Sequence, residues 1–333
     1  MLFVDRIRYP GVSASHDPNS GSGLPMSPGV FALLGAVAAV TVIYAVRWLQ
    51  LERARLERIR SAPGAAKPRA IDLAIGFVTN FFDALGIGNF APTTAWFKFL
   101  RRMPDEEIPG TLNAGHALPV LVEAFIFISV VGVDLATLVM MILAAVAGAW
   151  WGAGIVARLP RRPIQVAMGL ALTTAALLFM AKNLGWLPGS GPGSIDGTAL
   201  GLQGPWLALA VGANFVLGAL MTVGVGLYAP CLILVSLLGM NPRAAFPIMM
   251  GACAFLMPVA GARFVRAGRY NLQAALGLTL GGIPGVLIAA LIVKSLPLNW
   301  LGWLVVVVVL YAAALMLRSA RQDQVTATNP QGQ

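Results

Sequence analysis

Residues 31–48, 135–157, 272–293 and 299–317 of this sequence are apolar over close to the ~20 residues an α-helix needs to cross the ~30 Å hydrocarbon core of a bilayer. One charged residue, Arg47, falls within them. Lipid offers no partner to backbone N–H and C=O groups, so spanning segments are helices or closed barrels. Barrel strands read as ~10-residue alternating segments, a pattern this sequence lacks. Charged residues make up 11% of the chain, against roughly 25% in soluble domains. The chain is therefore expected to be an all-α integral membrane protein.

A net charge of +10 concentrated in short segments between apolar stretches argues for loops that set topology, and against nucleic-acid binding. Cys231 and Cys253 fall in apolar segments without metal-ligand spacing and read as packing residues. No cofactor or metal is expected. No nucleophile–base–orienter set is visible, so an enzyme is disfavoured. Residues 1–30 are polar and rich in Gly, Pro and Ser, as disordered segments are. A first span at 31–48 then runs into a basic linker at 49–70, whose LERARLERIR continues the helix along the membrane surface. Trp48, Trp186, Trp206, Trp300 and Trp303 are placed as interfacial anchors.

The rest of the chain is duplicated. LGIGNFAP at 85–92 returns as VGVGLYAP at 223–230, an offset of 138. In the same ungapped register Phe77 matches Phe215, Gly86 matches Gly224, Gly88 matches Gly226, Pro92 matches Pro230 and Pro109 matches Pro247. Repeat 1 covers 71–182 and repeat 2 covers 206–317, joined by a Gly/Pro-rich external loop at 183–205. Each repeat holds one interrupted segment (71–100, 206–238) and three spans (109–131, 135–157, 164–181; 246–265, 272–293, 299–317). A tail follows at 318–333.

Charge distinguishes two topologies. If the interrupted segment crosses the membrane, Arg101, Arg102, Arg158, Arg161 and Arg162 lie opposite the basic linker, against the positive-inside bias. If it is a re-entrant hairpin, all of the 23 Lys and Arg except Arg6, Arg8, Lys182, Arg243 and Lys294 share the linker's side. The hairpin is the better reading. Three crossings per repeat then invert one repeat relative to the other. Seven crossings place the N-terminus outside and the C-terminus in the cytoplasm of a bacterial-type inner membrane.

Inverted repeats with broken helices are the plan of many secondary transporters. Non-helical backbone at membrane depth survives where it is buried or lines a cavity. Here the breaks are Gly86-Ile87-Gly88-Asn89-Phe90-Ala91-Pro92 and Gly224-Val225-Gly226-Leu227-Tyr228-Ala229-Pro230. Each is followed by a helix of about ten residues, ~15 Å long, half a bilayer. The two short helices aim unpaired N–H groups and partial positive charge at one midplane region, a place for a small anion. Internal capping of those amides is the structural alternative.

GFVTNFFDALGIGNFAP (76–92), IPGTLNAGHALPVLVEA (108–124) and the second copy at 214–254 resemble the TauE/SafE sulfite exporter family, also called four-toluene-sulfonate uptake permeases. The resemblance covers about 71–317. It implies transport of sulfite, thiosulfate, sulfonates or related organosulfur anions, coupled to an ion gradient. The family's G-[ILV]-G-G-G break is altered here to Gly86-Ile87-Gly88-Asn89-Phe90 and Gly224-Val225-Gly226-Leu227-Tyr228.

Ionisable groups inside a membrane are functional candidates by default. Asp83 and Glu123 are acids within apolar segments. Asn113, His116 and Glu123 share a helix face by spacing. Histidine titrates near neutrality, so Asp83, His116 and Glu123 are candidates for coupling a proton or cation, with a structural network as the alternative. Candidate substrate contacts are Asn80, Gly86, Gly88, Asn89, Thr93 and Thr94 at the first break, and Asn214, Gly224, Gly226 and Tyr228 at the second. Lys98 lies nearer the cytoplasmic mouth, where snorkelling to the interface is its simpler role. The expected partners are a small anionic substrate, the lipid bilayer and a coupling proton or cation. Rival readings are a passive channel on the same scaffold and a cation or metal transporter using the two acids and His116.

Overall fold

The computed structural model describes residues 27–58, 67–104, 106–156, 161–186, 199–221, 227–295 and 297–328. The disordered segment expected at 1–30 falls almost wholly outside them. The described chain is helical: α1 (Pro28–Arg58), α2 (Ala70–Ala84), α3 (Phe90–Phe99), α4 (Ile108–Val130), α5 (Leu135–Val156), α6 (Arg161–Asn183), α7 (Gly204–Met221), α8 (Tyr228–Leu237), α9 (Ala245–Ala267), α10 (Leu272–Ser295) and α11 (Leu298–Thr328). A 3-10 turn at Pro242–Ala244 precedes α9. Six of these helices, α1, α4, α7, α9, α10 and α11, are long and apolar enough to cross a membrane. α5 and α6, 22 and 23 residues long, hold the shorter apolar stretches Leu135–Trp151 and Gln165–Ala181.

The order of elements repeats. Adding 138 to Phe90 and Phe99, the bounds of α3, gives Tyr228 and Leu237, the bounds of α8. Packing partners exchange in the same sense: α2 lies along α10 while its counterpart α7 lies along α5. α4 packs on its counterpart α9, and α6 on α11. Each interrupted segment is thus held mainly by a helix of the other repeat.

Without a hydrophobic drive between helices in lipid, close approach depends on small residues. Gly277, Gly281 and Gly285 form a row on α10. A Cβ on Gly281 or Gly285 would run into the carbonyl oxygen of Leu73 or Phe77 on α2. Gly76 answers from α2, where a Cβ would stand 2.7 Å from the Leu278 backbone. The α5–α7 pair does the same with Gly148 against Phe215 and Gly218 against Ala145. Pro119 lies inside α4 and offers no N–H to the Gly115 carbonyl. The Thr279 hydroxyl of α10 donates to that carbonyl at 2.7 Å instead.

Contacts between connections define two ends of the molecule, separated by the 23-residue length of α4. At one end Arg102, just past α3, makes a two-pronged ion pair with Asp72 near the start of α2, at 2.9 and 2.6 Å. There too Thr111 of α4 accepts from the Asn271 N–H at 2.9 Å. At the other end the Asp134 N–H donates to Leu200 at 2.7 Å and the Asn241 N–H to Ala199 at 2.9 Å. Ala199 precedes α7 and Asn241 follows α8. Both interrupted segments therefore finish beside the place where they begin.

α1 stands outside the repeat and lies on α4 and α9. Its helix continues through the first part of the basic linker to Arg58. Trp48 is a correction to the sequence reading. Its ring is buried and its Nε1 donates to the Tyr270 hydroxyl at 3.0 Å, and that hydroxyl bonds Glu52. It docks α1 rather than anchoring at an interface. Trp186, Trp206, Trp300 and Trp303 are exposed.

Candidate functional site

The first break is built by glycine. α2 ends in a left-handed turn at Gly86 (φ 93°), where the Ile87 N–H reaches back to the Phe82 carbonyl at 3.1 Å. That is the Schellman termination, which a residue with a Cβ resists. Gly88 is left-handed as well (φ 87°), and a Cβ placed there would meet nothing within 4 Å. A Cβ on Gly86 would stand 3.5 Å from Leu232 of α8 and 3.6 Å from Met249 of α9. The first break thus lies against the elements of the second repeat.

Asn89 caps α3. Its carbonyl accepts from the Thr93 N–H at 3.1 Å and the Thr93 hydroxyl at 2.7 Å. Its side chain turns back onto α2, donating to Asp83 Oδ2 at 2.6 Å and reaching Asn80 Oδ1 at 3.3 Å. Asn80 donates its own amide to the Gly76 carbonyl at 2.7 Å, which fixes Oδ1 as the atom facing His116. His116 Nδ1 lies 3.0 Å from that oxygen and carries the hydrogen of the pair. Nε2 lies 3.1 Å from the Thr93 hydroxyl. An unprotonated Nε2 accepts from that hydroxyl; a protonated one donates to it while the hydroxyl donates to the Asn89 carbonyl. The single Thr93 hydrogen therefore goes either to Nε2 or to the Asn89 carbonyl, according to the state of the ring.

Glu123 stands apart from that chain. It is fully buried, and neither carboxyl oxygen meets an N–H or O–H donor among the described residues. It faces the Asp83 carboxyl. A hydrogen bond between two carboxyls needs one proton, because an ionised carboxylate only accepts. Tyr228, the first residue of α8, comes near both acids and lies within hydrogen-bonding reach of Cys253.

The structure brings together Asn80, Asp83, Asn89, Thr93, His116 and Glu123, with Gly86, Gly88 and Tyr228 beside them. Thr94 is half-buried on the first turn of α3. Asn214 points elsewhere, donating to the Met141 carbonyl of α5 at 2.7 Å. Asn113 bonds the Pro109 carbonyl of its own helix at 2.8 Å and leaves the polar stripe. Gly224 and Gly226 lie outside the described residues. Among those described, no three His, Cys, Asp and Glu side chains converge as a metal-ligand set. Sequence reasoning missed the contacts of Cys253 with Tyr228 and the inequality of the two repeats. Reading the second copy at offset 138 exposes that inequality. Asn80, Asp83, Asn89, Thr93, His116 and Glu123 correspond to Gly218, Met221, Leu227, Cys231, Ala254 and Gly261. At these six positions the acids, the amides and the histidine belong to repeat 1.

No curated protein and no solved structure matches this chain. The family model described as sulfite exporter TauE/SafE matches residues 21–179 and 206–333, most of the chain on both sides of the central loop. With its multi-pass helical fold, this chain belongs to the TauE/SafE sulfite exporter family of membrane transporters.

Proposed function

We propose that this protein is a permease that moves a small anion of the sulfite, sulfonate or thiosulfate class across the cytoplasmic membrane. It works by alternating access at a midplane site between two re-entrant broken-helix hairpins in inverted repeats. A proton or cation is coupled through Asp83, His116 and Glu123. Substrate contacts come from Asn80, Gly86, Gly88, Asn89, Thr93 and Thr94, joined by Gly224, Gly226 and Tyr228; Asn214, turned onto the Met141 carbonyl, is left out.

The observation that carries this reading is the return of both interrupted segments to their starting ends, with the first break resting against α8 and α9. At 1.5 Å per residue, ten-residue α3 and α8 are ~15 Å long and cannot span a ~30 Å core. Re-entry sets their N-termini at depth, where backbone N–H groups favour negative charge. Arg47, Arg69, Arg101, Arg102, Arg266 and Arg269 share one end with the linker, in keeping with a cytoplasmic face there and an external N-terminus.

The test is flux into proteoliposomes of sulfite, sulfate, thiosulfate, sulfoacetate and small carboxylates, with and without a pH gradient. Accumulation of at least one sulfur anion, driven by the gradient, is expected. No response to any anion sinks the reading. Two facing acids without a basic partner favour a second reading, cation transport on the same scaffold. Asp83→Asn with Glu123→Gln separates the two, since cation flux is lost under the second reading while anion flux down its own gradient persists, uncoupled, under the first.

A further inference from the structure

A carboxyl group of the chain itself already sits at the tip of α3. Asn89, the capping residue, donates its side-chain amide to Asp83 Oδ2 at 2.6 Å. A helix N-terminus favours negative charge, and here the preceding helix supplies it. Behind Asp83 stands Glu123, buried, with two oxygens that meet no donor among the described residues. One arriving proton satisfies that arrangement, because a protonated acid donates to its neighbour.

Resting on the anion reading above, we infer that Asp83 is a tethered competitor of the transported anion. The anion displaces the Asp83 carboxylate from the Asn89 side-chain amide at the α3 tip, and the released Asp83 pairs with Glu123 through one shared proton. One anion and one proton enter together; one acid O–H bond forms and no other bond changes. A monovalent anion is then carried without net charge, and a divalent one with a single negative charge.

The groups facing Asp83 limit the count to one proton. Glu123 of α4 faces it, and Tyr228 of α8 and Cys253 of α9 are the other titratable groups in its electrostatic range. His116 reaches it only through Asn80 and Asn89. α10, packed along α2, has one ionisable residue, Lys294, at its far end. Repeat 2 carries Met221 and Gly261 where repeat 1 carries Asp83 and Glu123, so no second acid pair exists at the corresponding positions.

The test measures binding of methanesulfonate, which keeps its single charge across the pH range, to the full chain in detergent. Over the range where Asp83 is ionised in the free protein, one proton per anion makes the apparent Kd rise about tenfold per pH unit. In unbuffered solution the wild type takes up one proton per anion bound. Asp83→Asn removes the competitor, so its affinity is tighter and flat with pH. Glu123→Gln keeps Asp83 on the tip as a competitor but removes the acid that shares the proton, so its slope is shallower than that of the wild type. A flat wild-type profile, no proton uptake on binding, or an unchanged slope in Asp83→Asn overturns the exchange while leaving anion binding intact. Affinity that follows sodium instead of pH overturns the proton. If wild type binds neither methanesulfonate, thiosulfate nor sulfite, the anion reading itself falls and the exchange falls with it.

Discussion

Replacing Glu123 with methionine removes two buried oxygens and keeps the reach of the side chain. A buried polar group left without a partner costs ~1–3 kcal/mol, and replacement by an apolar group of similar shape recovers much of it. Glu123 is fully buried and both its oxygens lack a donor. Against that gain stands the lost contact with Asp83, which still keeps the Asn89 amide at 2.6 Å. The net expectation is a stabilisation of about 1–2 kcal/mol, a rise in midpoint of roughly 1.5–3 °C for a chain of this size. Thermal unfolding in detergent at one fixed scan rate, followed by tryptophan fluorescence, reads it; the scan rate matters because unfolding of such proteins is often irreversible. Gradient-driven anion accumulation should be lost in the same variant. A loss of stability above about 1 kcal/mol would refute the reasoning, because Glu123 would then be a structural anchor and not an acid kept for its chemistry.

Thr279→Val should cost ~0.5–1.5 kcal/mol by stranding the Gly115 carbonyl, and Pro119→Ala should rescue it by restoring the helical N–H. A double-mutant cycle with no coupling between the two sites would break that link. Arg102→Gln should destabilise by ~3–5 kcal/mol, since it leaves fully buried Asp72 without its ion pair; unfolding close to wild type would show that the tie between hairpin ends is dispensable. Gly281→Leu should lower stability by ~1–3 kcal/mol or more through collision with α2 at Leu73, and a wild-type elution profile with an unchanged melting midpoint would contradict that packing.

The duplication was legible because glycine and proline at fixed spacing leave few backbone choices. Gly86 and Pro92 located the first break, and the offset of 138 carries the bounds of α3 onto those of α8, one residue before the 229–238 expected from the sequence. The inward acids were legible because an ionisable group in an apolar run is conspicuous. What joins them was not legible. Asn89 bonds Asp83 and Asn80 only because the left-handed turns at Gly86 and Gly88 fold the chain back on itself. The Asp72–Arg102 pair spans 30 residues and exists because the hairpin's ends meet. Trp48 misled because interfacial tryptophans are common, and only the fold shows Tyr270 beside it. Asn214 misled because spacing alone does not tell which face of α7 meets α5.

Thr94, half-buried on the first turn of α3, offers the most direct probe of a binding site reachable from both membrane faces. With Cys231 and Cys253 changed to alanine and Thr94 to cysteine, an impermeant thiol reagent is applied to each side of oriented vesicles. Labelling from either side, slowed by saturating methanesulfonate, is the result that alternating access at the helix tips requires. Labelling confined to one side and indifferent to every anion would contradict it.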